Sequence, residues 1–344
     1  MNKYTEEPKK RSQTLLIVEG KHEKNELFWL IFKCFPEIDI DMDNVWIYGT
    51  NIYRLYEDII NEYGETWAED NIDIDLPFII SKKQTSNSIR YKEEFTDIIL
   101  VFDYERHDPN FSENKILKMQ SYFLDATDMG KLYINYPMIE SYLHLKAIPD
   151  VNYEGSNILV SLQPGKEYKN LVKRETIIYK DINFIYRLND LLKEKFGITD
   201  DSIREKCIEN ILNISSSEGL EDKIDSIFQN LIETKDLQTL KYQLIDWINN
   251  IGYVNDNKTY WLYMRKLFKD IIYHNIAKAN RIQNGVYSIE YNKCKDYFSR
   301  LDHVEILKIQ NQYSNDKSNG IIWILNTCVF VVPDYNYNLL KAYI

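Results

Sequence analysis

The sequence predicts an α/β fold, a mostly parallel sheet flanked by helices, followed by a mainly α-helical second domain. Three observations carry this expectation. Short apolar runs suited to strands recur at Thr14–Val18, Val45–Tyr48, Ile98–Phe102 and Lys131–Asn135; stretches with helical spacing alternate with them; and after about residue 155 amphipathic helical patterns dominate.

Residues 1–11, with Pro8 among charges, read as a flexible leader, and order is expected to begin near Thr14. Thr14–Val18 is continuous, β-branched and leucine-rich, as a strand buried on both faces requires, and Glu19 and Gly20 break it. From about Glu23 to Phe35 the apolar positions Leu27, Leu30, Ile31 and Cys34 fall on one helical face, and Pro36 ends the helix. Val45–Tyr48 repeats the unit, followed by Gly49, by Thr50 or Asn51 as N-cap and by a helix carrying Leu55, Ile59, Ile60 and Tyr63. Asn71–Arg90 is polar and turn-rich apart from Leu76–Ile80, and reads as an insertion with little regular structure that can reach a substrate. Ile98–Phe102 runs into Asp103, and a helix near Lys115–Leu124 leads to the strand at Lys131–Asn135. The first domain thus spans 12–155, with ligands expected beyond the carboxyl ends of its strands. The second, 156–344, carries helical stretches at Ile182–Lys195, Ser202–Leu212, Leu220–Ile232, Leu237–Ile251 and Tyr260–Ile276, then an apolar segment, Ile321–Val332, that suits a strand pair or a buried strip.

A chain of 344 residues, 44% hydrophobic, can build two ordinary cores. Its longest uncharged apolar stretches fall far short of a membrane span, and the polar N-terminal residues do not resemble a signal peptide, so no membrane association is expected. Cys34, Cys207, Cys294 and Cys328 are too scattered for zinc or redox pairs, which fits a reducing cytoplasm. The net charge of −11 argues against a protein that coats nucleic acid non-specifically, but not against a nuclease, because a bound divalent cation reverses the field at the scissile phosphate. Lys82, Lys83, Arg90 and Lys92, or Lys169, Lys173 and Arg174, are candidates to hold flanking backbone, with solvated surface positions the plainer account.

The strongest constellation is acidic: Glu19 after the first strand, Asp103 and Glu105 after a later one, and Glu140 after the last. Asp103 and Glu105 are two apart, so in locally extended chain they point the same way and can share an ion. Hard cations such as Mg²⁺ or Mn²⁺ need only such oxygen ligands; Glu19, Asp103 and Glu105 are the expected metal ligands, with Glu19 alternatively a general acid or base. Glu140 equally suits the start of a helix carrying Tyr142 and Leu143.

These residues resemble a known family. Leu15-Leu16-Ile17-Val18-Glu19-Gly20, followed by a helix, is similar to the glutamate motif of the Toprim domain shared by topoisomerases, primases and several nucleases. Ile99-Leu100-Val101-Phe102-Asp103-Tyr104-Glu105 resembles its Asp-x-Asp motif, with Glu105 in place of the second aspartate. The segment Ile134–Leu143, with Glu140, resembles a stretch of Toprim nucleases of bacterial phage defence, of the overcoming-lysogenization-defect-like and anti-restriction-sensing types. The resemblance covers about 130 residues and implies a Toprim-like sheet and metal-dependent cleavage of DNA or RNA, including transfer RNA, beside a separate ABC-type ATPase. No Walker phosphate loop occurs in the chain, so any ATPase is a separate partner.

Lys21, His22, Arg106 and His107 flank the acidic motifs as possible phosphate contacts, and Asp108 is either a supporting acid or a turn former before Pro109. His144, His274 and His303 are assigned to structure; Lys278, Asn280 and Arg281 read as an ordinary charged helix surface rather than a basic nucleic-acid face. The alternative to a nuclease is a non-catalytic Toprim-like regulatory or nucleic-acid-binding subunit, and a primase or topoisomerase ranks last. A homodimer is expected on general grounds alone.

Overall fold

A computed structural model describes residues 13–83, 88–162, 164–176, 178–229 and 237–341; the expected leader lies outside them. β1 (Thr14–Val18) is buried at all five positions, and the chain leaves it through Glu19 and Gly20 into a π-helical turn, Glu23–Phe28, that continues as α1 (Trp29–Cys34) and stops before Pro36. β2 (Val45–Ile47) leads to α2 (Ile52–Tyr63), where the Asn51 side chain accepts from the Arg54 N–H at 3.1 Å and so satisfies one of the free donors at the helix start.

The expected insertion at Asn71–Arg90 contains more regular structure than its composition suggests. Asp75 caps a helix, α3 (Leu76–Lys83), by accepting from Phe78 N–H at 2.8 Å, and Leu76, Ile79 and Ile80 are buried, so packing of a short apolar face outweighs the turn-rich flanks. β3 (Asp97–Asp103) follows, then α4 (Glu113–Tyr122), capped by Ser112, β4 (Leu124–Asp125) and β5 (Gly130–Asn135). The sheet order is β2-β1-β3-β5-β4; the first four strands run parallel and only β4 is antiparallel. This is the α/β architecture expected, and its parallel register sets Val18 beside Val101 and Asp103 beside Asn135, bringing the carboxyl ends of β1, β3 and β5 to one edge.

The remaining chain does not form a separate domain from residue 156 onward. One compact unit draws together the residues up to Tyr142, Asn152–Asn170 and the stretch from Ile272 on; the other comprises Leu143–Val151 and Leu171–Ile271. In the first, β6 (Asn157–Leu159) pairs with a strand far downstream. The second holds the short helices α5 (Lys169–Glu175, from Leu171 on) and α6 (Ile178–Ile182), α7 (Phe184–Glu194), α8 (Asp201–Leu212), α9 (Leu220–Phe228), α10 (Leu237–Ile251) and the first half of α11 (Tyr260–Asn284). The end of α11, α12 (Tyr291–Phe298), α13 (His303–Ser314), β7 (Ile321–Trp323) and α14 (Val331–Asn336) return to the sheet unit.

Polar side chains explain the return. Ile321–Val332 is one short strand, β7, antiparallel to β6, followed by a buried strip in which Asn326 donates to Ile139 O at 2.9 Å, Thr327 donates to Ile134 O at 2.8 Å, and Cys328 N–H reaches Asn135 Oδ1 at 3.3 Å. Lys278, expected on a charged surface, is instead fully buried, its ammonium donating to the carbonyls of Tyr153, Glu154 and Ser156 at 2.6–3.0 Å; Asn280 is buried as well. Three carbonyl acceptors match the three donors of an ammonium, which is how a buried lysine is tolerated. His144 and His274 are buried, His274 against the Tyr287 hydroxyl at 2.5 Å, and the half-buried His303 lies edge-on to Tyr133. No helix among the described residues is long and apolar enough to cross a membrane.

In the helical unit, Asp181 on α6 accepts from the Tyr263 hydroxyl at 2.7 Å, while its second carboxylate oxygen is buried without a partner. Burial pushes this carboxyl up to about 6, against the opposing effects of Tyr263 and Lys180. Because the folded value lies above the unfolded one, folding takes up a proton: the contribution is full below the unfolded value and lost as pH rises through about 6. Asp181→Asn is therefore expected to stabilise the protein at pH 7.5 by about 1–3 kcal/mol and to lose that gain near pH 4. Thermal melting at both pH values checks this, and equal melting at pH 7.5 refutes it.

Candidate metal centre

Glu19 leaves the buried end of β1, and Asp103 is the last residue of β3, the adjacent parallel strand. The Asp103 N–H donates to Glu19 Oε2 at 3.2 Å, fastening the two strand ends together through one of the acids. Glu105 joins them, so that Glu19, Asp103 and Glu105 each present a carboxylate oxygen within 4.8 Å of the others. The pairing of Asp103 with Glu105 was expected from extended chain, but it arises differently. The backbone turns after Asp103, Glu105 takes a left-handed conformation (φ +46°), and Asp108 N–H closes the turn on Glu105 O at 2.9 Å. A non-glycine residue held at positive φ is uncommon and costs of order 1 kcal/mol, which the rigid strand end must sustain.

A fourth acid enters that the sequence reading passed over as the start of a helix. Glu23, 5% exposed, accepts the Gly20 N–H at 2.9 Å from the first residue of the π-helical turn. The i, i+4 spacing of Glu19 and Glu23 across a strand-to-helix junction was the available signal. Glu140 stands nearby, ion-paired with Lys169 at 2.8 Å and with its other oxygen buried and unpartnered. Beneath the cluster, Asn135 at the end of β5 is completely buried and offers its amide to Asp103 Oδ1 at 3.4 Å.

The electrostatics follow from this crowding. Burial raises the Glu19 carboxyl to about 8, with Glu105, Glu23 and Asp108 adding to the rise and the Asp103 N–H opposing it. Asp103 is pushed well above the carboxylate range by burial and then by Glu19, Glu23, Glu140 and Glu105; Glu23 and Glu105 are raised as well, burial again being the main cause. Lys169 loses some of its proton affinity to burial, yet ends above its ordinary value because of Glu140, Asp103 and Glu23. Several carboxylates that repel one another, all-oxygen in donor chemistry, with an orphaned Glu140 oxygen beside them, fit a hard divalent cation such as Mg²⁺ or Mn²⁺.

The structure does not gather the other sequence candidates equally. Lys21 and His22 are exposed, and the His22 ring is taken up by Glu26 at 2.7 Å. Arg106 is buried against Phe111 and His107 is exposed. Asp108 accepts from Asn51 Nδ2 at 2.5 Å and from Asn110 N–H at 2.6 Å, so it serves the turn while adding its charge to Glu19 and Glu105. Lys82, Lys83, Arg90 and Lys92 are each occupied by a local acid, Glu62, Asp58, Glu94 and Asp73 respectively. Lys173 lies over the Tyr179 ring.

No family model, no curated protein and no solved structure matches the chain.

The raised Glu19 carboxyl has a measurable consequence for the metal-free protein. Its folded value exceeds the unfolded one, so its contribution to stability is lost as pH rises through about 8. In EDTA, Glu19→Gln is expected to gain on the wild type between pH 7 and 9, by about 1 kcal/mol or more at the alkaline end, while added Mn²⁺ raises the melting temperature of the wild type only. Parallel melting curves for the two proteins across this range, with and without Mn²⁺, would contradict the assignment.

Proposed function

We propose that this chain is a divalent-metal-dependent nuclease of Toprim type that cleaves phosphodiester bonds in RNA or DNA. The observation that carries the reading is the convergence of Glu19, Asp103 and Glu105 within 4.8 Å at the carboxyl ends of two adjacent parallel strands. A surface cluster of acids would relax apart; these are fixed by the sheet register and by the Asp103 N–H bond to Glu19.

Glu19, Asp103 and Glu105 would hold the cation, with Glu23 and Glu140 at its margin. When bound, Mg²⁺ or Mn²⁺ supplies Lewis acidity toward a phosphoryl oxygen and acidifies water. The chain's own part is positional. Asn135 orients Asp103, the Glu105 turn directs a third carboxylate inward, and the ion pair with Lys169 holds Glu140 in place beside the acids. Glu105 in place of an aspartate is accommodated because the left-handed turn, rather than an extended strand, presents it. The further proposal of an anti-phage effector working with a separate ABC-type ATPase rests on the sequence resemblance around Glu19, Asp103, Glu105 and Ile134–Leu143, and that of a homodimer on general grounds alone.

Purified protein incubated with total transfer RNA, single-stranded DNA or plasmid is expected to cleave one of them in Mg²⁺ or Mn²⁺ and none in EDTA. Asp103→Asn with Glu105→Gln should reduce the rate by at least about a hundredfold, the scale on which removing essential charge stabilisation acts. Cleavage that survives in the double variant defeats the reading, as does the absence of both cleavage and calorimetric metal binding.

A further inference from the structure

Just past the carboxylate turn, the chain buries a guanidinium that no described residue pairs. Arg106 is 9% exposed, its guanidinium lies 4.2 Å from the centre of the Phe111 ring, and it makes no salt bridge or hydrogen bond among the described residues; its Nε is sealed from water without an acceptor. An unsatisfied buried donor destabilises the fold, and an unpaired buried charge does so more strongly. An acceptor arriving from outside would offset that cost.

Arg106 lines a pocket of about 370 Å³ together with His107, Asp108, Phe111, Ser161 and Lys317. Three distant parts of the sequence meet here: the turn after β3, the end of β6, and the turn before β7 that carries the exposed Lys317. Val160 N–H bonds to Gly320 O at 2.8 Å, which holds the latter two against each other. Lys317 has no acidic partner among the described residues, and the one acid in the wall, Asp108, is already committed to Asn51 and Asn110. The uncommitted charge facing the pocket is therefore positive, in a protein whose net charge is −11. A planar guanidinium braced on an aromatic ring, a flexible ammonium and a hydroxyl suit the tetrahedral oxygens of a phosphate. The wall adjoins the metal centre, because Glu105 immediately precedes Arg106 and the Asp108 charge is felt at both Glu19 and Glu105.

We propose that this pocket is an oxyanion subsite that holds a backbone phosphate of the nucleic acid, next to the phosphate presented to Glu19, Asp103 and Glu105. The identity of the ligand rests on the nuclease reading; the anion site itself does not.

The test uses the full chain in EDTA at low salt, where no cleavage interferes. Fluorescence anisotropy follows a labelled single-stranded oligonucleotide, DNA or RNA, with inorganic phosphate as competitor, for the wild type, Arg106→Gln, Lys317→Ala and Lys82→Ala. Lys317 is exposed, so its variant keeps the test interpretable if Arg106→Gln is poorly folded; Lys82 removes the same charge away from the pocket. Arg106→Gln should weaken oligonucleotide binding about tenfold or more and Lys317→Ala by several-fold, each lowering the salt dependence by about 0.7 in slope, as expected for one lost contact to a single strand. Phosphate should compete with the wild type, and Lys82→Ala should bind as the wild type does. If this pattern appears while no metal supports cleavage, the subsite stands and the nuclease reading falls. Oligonucleotide binding that is indifferent to both pocket substitutions overturns the subsite, and phosphate binding without oligonucleotide binding overturns the backbone assignment in favour of a small free phosphate ester.

Discussion

Repulsion among crowded, half-buried to buried carboxylates is the constraint around which this molecule is organised. Glu19, Glu23, Asp103, Glu105 and Glu140 lie close enough for each other's charge to be felt, and Lys169 meets them at Glu140. In isolation, such a group would splay into solvent. It stays together because the acids are attached to elements that cannot move independently: two adjacent parallel strand ends, a helix that begins four residues after Glu19, and a turn locked at Glu105. The crowding that raises the carboxyl proton affinities would equally favour the proposed cation, since either a proton or a cation relieves the repulsion.

Rigidity at that edge comes from both ends of the chain. Tyr136 and Leu325 exchange backbone hydrogen bonds at 2.8 and 2.9 Å, continuing β5 into the C-terminal strip, and Asn135 takes an N–H from Cys328 while facing Asp103. Tyr104, between the two acids of the β3 turn, donates its hydroxyl to Asn311 Oδ1 of α13 at 2.6 Å, lies 2.8 Å from the Ser314 hydroxyl in a second hydrogen bond, and receives the Tyr53 hydroxyl on its carbonyl. Residues more than 180 positions apart thus hold the turn that carries Asp103 and Glu105. The C-terminal stretch is part of the same compact unit as the sheet for this reason: its buried Thr327 hydroxyl and Asn326 amide find their partners on the backbone of β5 and of the turn that follows it.

The pocket beside Arg106 follows the same logic with the opposite sign. Where the carboxylates are crowded, the adjoining wall leaves one guanidinium and one ammonium uncommitted, so a polyanion would meet positive charge on one side and the carboxylates proposed to hold a cation on the other. A negative protein can in this way attract phosphate locally while its overall field discourages indiscriminate binding.

Apart from α3 and the two-residue β4, the alternation of buried strands and amphipathic helices up to Asn135 was legible in the sequence, because continuous apolar runs and 3.6-residue spacing are local properties. So were Glu19, Asp103, Glu105 and Glu140, as acids placed just after strands. Other features depend on partners far along the chain, which local periodicity does not encode. Glu23 looked like an ordinary first-turn glutamate until the fold buried it. Lys278 looked like surface charge, although three carbonyls from residues 153–156 enclose it. The return of residues 272–344 to the sheet is written in single polar side chains such as Asn326 and Thr327, whose hydrogen-bond partners only tertiary structure supplies. Which residues are acidic, and which strands they follow, was determined by sequence alone; their 4.8 Å convergence and the joining of Arg106 to Lys317 were decided by the fold, because distance between side chains is set by packing and register rather than by order along the chain.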